Sequence, residues 1–259
     1  DNILHDVDTL RSRYGSDPMV AVAVAAHSIR AVPLPQVSEL AAYADRYDLP
    51  FHMHVCEQRR ELDECIAEYG TTPIALLADT GILSSHFVGV HATHLSDEEV
   101  VALGDAEAYV CLCRTTERDL GDGLPNISDL LQAGARLCVG VDSHACGNAF
   151  EEVRAVELDE RSRLEARHTV AEAPALLDAA TRLGYEACGL SNAWQDDRVH
   201  LNAHDPSIAA TVNTHASDAI LFGATPRAVN KVFVRDMTIV EDGYHVQYEA
   251  ALEQYQNTL

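Results

Sequence analysis

The sequence predicts an α/β fold built on a parallel sheet, with a small β-structure towards its C-terminal end. Three observations predict it. Short, continuous apolar runs alternate with stretches of helical spacing as far as Asp142. Long helical stretches then give way to short strands around an Asp-Gly turn signal. Polar residues recur at the C-terminal end of one apolar run after another.

The elements follow in order. "MVAVAVAAHS" reads as a buried strand near 20–26, and "VSELAAYADRYD" has helical spacing. "PFHMHVCEQ" gives a strand near 51–56, followed by the helix "RRELDECIAEYG", which Gly70 closes. "TPIALLADTG" is a further helix, and "HFVGVHATHL" carries a strand near 87–91. "SDEEVVALGDA" is a helix in which Ser96 and Glu99 form a capping box. "AYVCLCRTT" is a strand near 108–113, "TTERDLGDGLP" a polar, glycine-rich loop, and "NISDLLQAGA" a helix. "RLCVGVDSH" is a strand near 136–142. "FEEVRAVELDERSRLEARH" and "VAEAPALLDAATRLGYEACGL" read as long helices. "DAILFG", "VNKVFVRD" and "MTIVEDGYHV" read as the strands of the appended β-structure.

Composition narrows the function. The chain has 259 residues and is 47% hydrophobic, ample for a packed core. No apolar stretch reaches bilayer length, and "DNILHDVDTLRSRYG" lacks the basic start of a signal peptide, so neither a membrane span nor a leader is expected. A net charge of -23 argues against nucleic acid and against anionic membranes. The seven cysteines are odd in number, contain no C-x-x-C pair and lie partly in apolar strands. That fits reduced, packed thiols in a cytoplasmic enzyme better than a disulfide framework.

His27, His54 with Glu57, His91 with His94, Thr115 with Thr116, and Asp142 with His144 all fall at successive strand ends. In a parallel β/α barrel this rim is where active sites are built. One such histidine is readily explained by packing; repetition over five strands is not. His54, His91 and Asp142 are suitable ligands for a divalent metal such as zinc. Glu57 is placed to move protons at the same mouth, or else is a helix-start carboxylate favoured by the dipole. Arg30, three residues past His27, is either a clamp for a substrate carboxylate or a surface arginine. His52 shares a face with His54 and is read as a core histidine of a lower layer.

"HSIRAVP", "HMHVCEQRREL", "GVHATHLSDEE", "LCRTTERDLGDGLP" and "VDSHACGNAFEEVRAVELDERSRL", in this order, resemble the amidohydrolase superfamily, and within it the formimidoylglutamate deiminases. The resemblance runs from about residue 15 to the C-terminus. It implies a (β/α)8 TIM-like barrel of the metal-dependent hydrolase type. His54 would ligate the metal, zinc with iron as the alternative. Glu57 would shuttle a proton, His91 would orient the attacking oxygen, and Asp142 would both bind metal and help deprotonate the water. His27 and Arg30 would grip the glutamate part of N-formimino-L-glutamate, which is hydrolysed to N-formyl-L-glutamate and ammonia.

Two features depart from the family. Arg114 stands where proline is usual, and the H-x-H of the first barrel strand has no counterpart. The only H-x-H, His52-Met53-His54, matches the fifth strand. The expectation is therefore a partial barrel over residues 1–215 lacking its first strands, with residues 216–259 supplying C-terminal strands of a small β-sandwich domain. A homo-oligomer acting on a small molecule is expected. A deaminase acting on a purine or related ring is the alternative, and a truncated, non-catalytic chain is the second.

Overall fold

The computed structural model describes residues 2–258. Helix α1 (Asn2–Tyr14) opens the chain, followed by β1 (Val24–Ala26), α2 (Leu34–Tyr47) and β2 (Phe51–Val55). Then come α3 (Arg59–Tyr69), α4 (Pro73–Asp79), β3 (Phe87–His91), α5 (Asp97–Asp105) and β4 (Tyr109–Leu112). Helices α6 (Arg114–Leu120) and α7 (Ile127–Ala133) precede β5 (Arg136–Val139). The remainder holds α8 (Ala149–Leu164), α9 (Ala173–Ala179), α10 (Arg182–Ala187), β6 (Arg198–Leu201), α11 (Ala216–Gly223), β7 (Val229–Val234), β8 (Met237–Glu241), β9 (Tyr244–His245) and α12 (Tyr248–Gln256).

Strands β1 to β5 form one sheet in sequence order, every neighbouring pair parallel. This order puts all five C-terminal ends along one rim. Phe51, Met53 and Val55 are buried in the main core with Val37, Leu40, Ile74, Leu77 and Leu103 of the flanking helices. Strand alternation therefore turns His52 and His54 to the opposite face. There, Val88, Tyr109 and Cys138 form a second buried cluster with Ala187 of α10. His52 belongs to this lower layer, since its Nε2 lies 2.8 Å from the Ala187 carbonyl oxygen.

The capping box at Ser96 and Glu99 is present. Other local expectations change. Only Val24–Ala26 of the predicted 20–26 strand pairs, because β1 is the sheet's edge and has β2 on one side alone. "RTTERDL" is helical rather than looped: Gly121, at φ 72°, ends α6 in the left-handed conformation, so the glycines follow the helix instead of interrupting it. The second long helix is split in two, α9 and α10, at Ala180 and Thr181. "DAILFG" is helix α11, with Leu221 fully buried on one side.

A second sheet, antiparallel, has the order β6-β7-β8-β9. It recruits Arg198–Leu201, upstream of the expected division at residue 216. Asp242 and Gly243, at φ 50° and 81°, form the turn between β8 and β9. Two positive φ values in a two-residue loop are what a tight hairpin requires, and Asp-Gly supplies them.

Helices α5 and α7 touch at Gly104. A Cβ there would lie 2.1 Å from the Ala133 carbonyl oxygen, so only glycine allows this approach. Gly104→Ala is expected to destabilise the fold by about 1–3 kcal/mol or more, as overpacking against backbone does. Denaturant titration should show an earlier midpoint; an unchanged midpoint would mean that the helices separate without cost.

Candidate active site

The rim of the parallel sheet is built from unusual backbone. Cys56, His91, Ala92 and Asp142 have φ of 53°, 75°, 49° and 58°, a region that side chains other than glycine's seldom adopt. All four sit at or just beyond the ends of β2, β3 and β5. Such local strain clusters where a side chain must be aimed. Here it accompanies the turning of polar groups inward from three strands.

His54 ends the inward row of β2. Its Nδ1 lies 3.0 Å from the His27 carbonyl oxygen. A carbonyl can only accept, so Nδ1 carries the hydrogen and Nε2 keeps its lone pair. His91 is fully buried. Its Nδ1 is 3.2 Å from Glu117 Oε1, and its Nε2 is 3.6 Å from Asp142 Oδ2 and 3.7 Å from Glu57 Oε1. The His54 and His91 rings stand 5.5 Å apart, and the His27 ring is 5.0 Å from that of His54. One ligand atom each of His54, His91 and Asp142 lies within 4.8 Å of the others.

These residues fit a divalent metal. His91 Nε2 is buried and has no hydrogen-bond partner, which is costly unless something outside the chain engages it. Two imidazoles and a carboxylate are a donor set that zinc accepts. Burial pulls the His91 imidazole towards the neutral form, but Glu117, Glu57 and Asp142 around it outweigh burial and raise its pKa. That excess of negative charge is the electrostatic counterpart of a cation site.

Glu57 stands just after β2 with its side chain 13% exposed. Glu61, fully buried, accepts the Glu57 backbone N–H at 3.1 Å and so fixes the turn that presents Glu57. Burial pushes the Glu61 carboxyl up. Arg30 approaches the outer side of Glu57, its Nη2 3.8 Å from Oε2. His27 is exposed at the end of β1, and its Nδ1 is 2.9 Å from the Ser28 hydroxyl.

The loop after β5 is pinned from α6. Thr116 Oγ1 donates to the Val141 carbonyl at 2.7 Å and accepts from the His144 N–H at 3.0 Å, which brackets Asp142. Thr115 donates to the buried Glu152. His144 turns into its own loop, where Nδ1 accepts the Cys146 N–H at 3.1 Å. The His94 N–H donates to the Cys56 carbonyl at 3.0 Å.

All six residues singled out in the sequence, His27, Arg30, His54, Glu57, His91 and Asp142, thus border one rim. Sequence reasoning missed Glu61 and Glu117. Both are acids within helices that look solvent-facing by composition, and no single-residue signal separates them from the chain's many exposed acids. The usable signal for Glu117 was Gly121, which as a helix terminator makes 114–120 a helix and carries Glu117 back against β4.

Comparison with known proteins agrees with this architecture. A profile of the amidohydrolase family matches residues 7–193. Formimidoylglutamate deiminase of Pseudomonas aeruginosa is 33% identical over 244 residues, covering 90% of this chain and 54% of that protein. 5'-Deoxyadenosine deaminase of Methanothermobacter thermautotrophicus is 27% identical over 235 residues, covering 88% and 55%. Among solved structures, an amidohydrolase from Brucella melitensis superposes with a TM-score of 0.85 at 30% identity, covering 97% of this chain and 57% of that one. An adenosine deaminase from Xanthomonas campestris with bound zinc superposes with a TM-score of 0.88 at 22% identity, covering 98% and 61%. The chain spans about half the length of the curated relatives it matches. With its parallel sheet, its rim of inward histidines and a match over most of its length, the chain belongs to the amidohydrolase family.

Proposed function

We propose that this chain carries the catalytic rim of a zinc-dependent deiminase that hydrolyses N-formimino-L-glutamate to N-formyl-L-glutamate and ammonia. The observation that carries the reading is the convergence of His54, His91 and Asp142, with Glu57 beside them and Arg30 behind Glu57. The five parallel strands are read as an arc of a (β/α)8 barrel, and β6 to β9 as part of a small β-domain. The substrate is a small, water-soluble molecule, which suits a cytoplasmic enzyme. Among the described residues no helix is long and apolar enough to cross a membrane.

His54, through Nε2, and Asp142 would hold the zinc, with His91 Nε2 facing the same point. When bound, zinc lowers the pKa of a coordinated water to about 7. Glu57 takes a proton from the attacking water and delivers it to the departing nitrogen, which leaves as ammonia. Asp142, whose Oδ2 lies 3.6 Å from His91 Nε2, takes the second proton of the water and returns it to the same departing nitrogen, which needs both to leave as ammonia. His91 faces both carboxylates and orients the oxygen as it adds to the amidine carbon. Arg30 and His27 take the acidic end of the substrate, and Arg30 supplies a planar fork that matches a carboxylate.

The relatives that deaminate adenosine-type rings support a second reading, a purine-type deaminase. The cationic Arg30 favours the acidic substrate over it. The test uses the protein carrying this chain. Ammonia release from N-formimino-L-glutamate is expected, lost when zinc is stripped by dipicolinate and restored by added zinc. Turnover of 5'-deoxyadenosine without turnover of formiminoglutamate would overturn the proposal in favour of the second reading.

A further inference from the structure

We infer that Cys111 and Cys138, side by side on β4 and β5, form an oxidation site, at which hydrogen peroxide converts the two thiols into a reversible disulfide that ties the strands together below the rim. The inference does not depend on the substrate proposed above, and no step of the deiminase chemistry uses these thiols.

Three of the seven cysteines meet here. Register partners run His54, Val90, Cys111 and Cys138 across β2 to β5, so these four side chains share one face of the sheet. Cys113, two residues beyond Cys111, shares it too. A Cβ at Gly140 would lie 3.2 Å from Cys111 Sγ and 3.3 Å from Cys113 Sγ, so the side chain that glycine lacks leaves the room these sulfurs occupy. Cys111 Sγ stands within hydrogen-bonding reach of both Cys113 and Cys138. Cys113 and Cys138 are buried, whereas Cys111 is half-buried, so solvent reaches the group at Cys111. The S–H groups of Cys113 and Cys138 aimed at it hold the Cys111 thiol well below the ordinary thiol range. The accessible sulfur of the three is thus also the one best stabilised as the reactive thiolate.

Geometry selects the partner. A disulfide spans about 4.4–6.8 Å between Cα atoms, and neighbouring strands run about 4.8 Å apart, so the register pair Cys111 and Cys138 falls inside that range. Cys111 and Cys113, two residues apart on one strand, are separated by about 6.6 Å, at its far end. The chemistry runs in two steps. The Cys111 thiolate attacks one peroxide oxygen, the O–O bond breaks, and hydroxide leaves a sulfenic acid on Cys111. The Cys138 sulfur then attacks the Cys111 sulfur, an S–S bond forms, the S–O bond breaks, and water leaves with the Cys138 proton. Two electrons pass from the sulfurs to the peroxide oxygens, and the protein loses two hydrogens.

The test treats the protein carrying this chain with hydrogen peroxide, removes the excess with catalase, alkylates the remaining thiols and maps unreduced tryptic peptides by mass spectrometry. Arg114 and Arg136 put Cys111 and Cys138 on different peptides, so their link joins two peptides, and fragmentation locates the sulfurs. Most of the protein is expected to carry the Cys111–Cys138 link, and dithiothreitol should undo it. This map needs no variant. Two variants then check the partner. Cys113→Ser should form the same link. Cys138→Ser should leave Cys111 as a sulfenic acid, so that its capture by dimedone rises several-fold over the unmodified protein. The inference is overturned if both thiols are recovered alkylated while the exposed Cys146 and Cys188 are oxidised. It is overturned equally if the link found in the unmodified protein is Cys111–Cys113, or if Cys138→Ser yields no dimedone adduct at Cys111.

Discussion

Glu57→Gln is expected to lower kcat for formiminoglutamate by about 10²–10⁴-fold while zinc content stays the same, the range associated with loss of a general base and acid. Glutamine keeps the shape of the side chain and its place beside His91 Nε2, 3.7 Å away, but cannot carry the proton. Glu57 is not among the three residues whose ligand atoms converge, so the metal should survive the change. Metal analysis and steady-state ammonia release on the same preparation separate the outcomes. Parallel loss of zinc and activity would make Glu57 a ligand. Activity within tenfold of the unmodified protein would shift the proton transfer to Asp142, which lies 3.6 Å from the same nitrogen.

The sheet was legible because its strands are short and fully buried, so they read as unbroken apolar runs punctuated by helices. Predicted strands near 51–56, 87–91, 108–113 and 136–142 contain β2 to β5. The rim was legible for the same reason: the apolar runs of β1, β2 and β3 finish on or beside His27, His54 and His91, whose rings stand side by side. His52 and His54 were separable because strand alternation puts both on one face and only the latter at the rim, while the former bonds the Ala187 carbonyl.

What could not be read is what tertiary packing decides. Glu117 reaches His91 Nδ1 and the Cys113 N–H only when α6 folds back on the sheet, and its sequence neighbours, threonines and an arginine, resemble a solvated turn. "DAILFG" is apolar enough for a strand, but Leu221 is buried and α11 packs on α8 and α9, so contact with helices selects the helix. β6 is hidden in "DDRVHLN" because an exposed strand pairing on one side needs no continuous apolar run. The positive φ values at Cys56, His91, Ala92 and Asp142 leave no trace in composition, since none of these residues is glycine.

Arg30→Ala is expected to reduce kcat/KM for formiminoglutamate by about 10²-fold, with bound zinc unchanged. A guanidinium–carboxylate pair that loses one partner in a desolvated site costs about 3–5 kcal/mol, and the lower end applies because the Arg30 side chain is 30% exposed before substrate arrives. Its nearest carboxylate in the structure is Glu57, at 3.8 Å, which is too long for a hydrogen bond. The guanidinium can therefore take a substrate carboxylate without first breaking a strong internal pair. The same proximity creates a rival explanation, in which removing Arg30 acts through the basicity of Glu57 and slows any substrate. Formamidine decides between them, because it has the reacting amidine and no carboxylate. If Arg30 binds the acidic end, Arg30→Ala should leave formamidine hydrolysis within a few-fold of its original, low rate while formiminoglutamate suffers the full loss. An equal loss on both substrates would show that Arg30 serves Glu57 and not the substrate. No loss on either would return it to the surface arginines of an acidic protein.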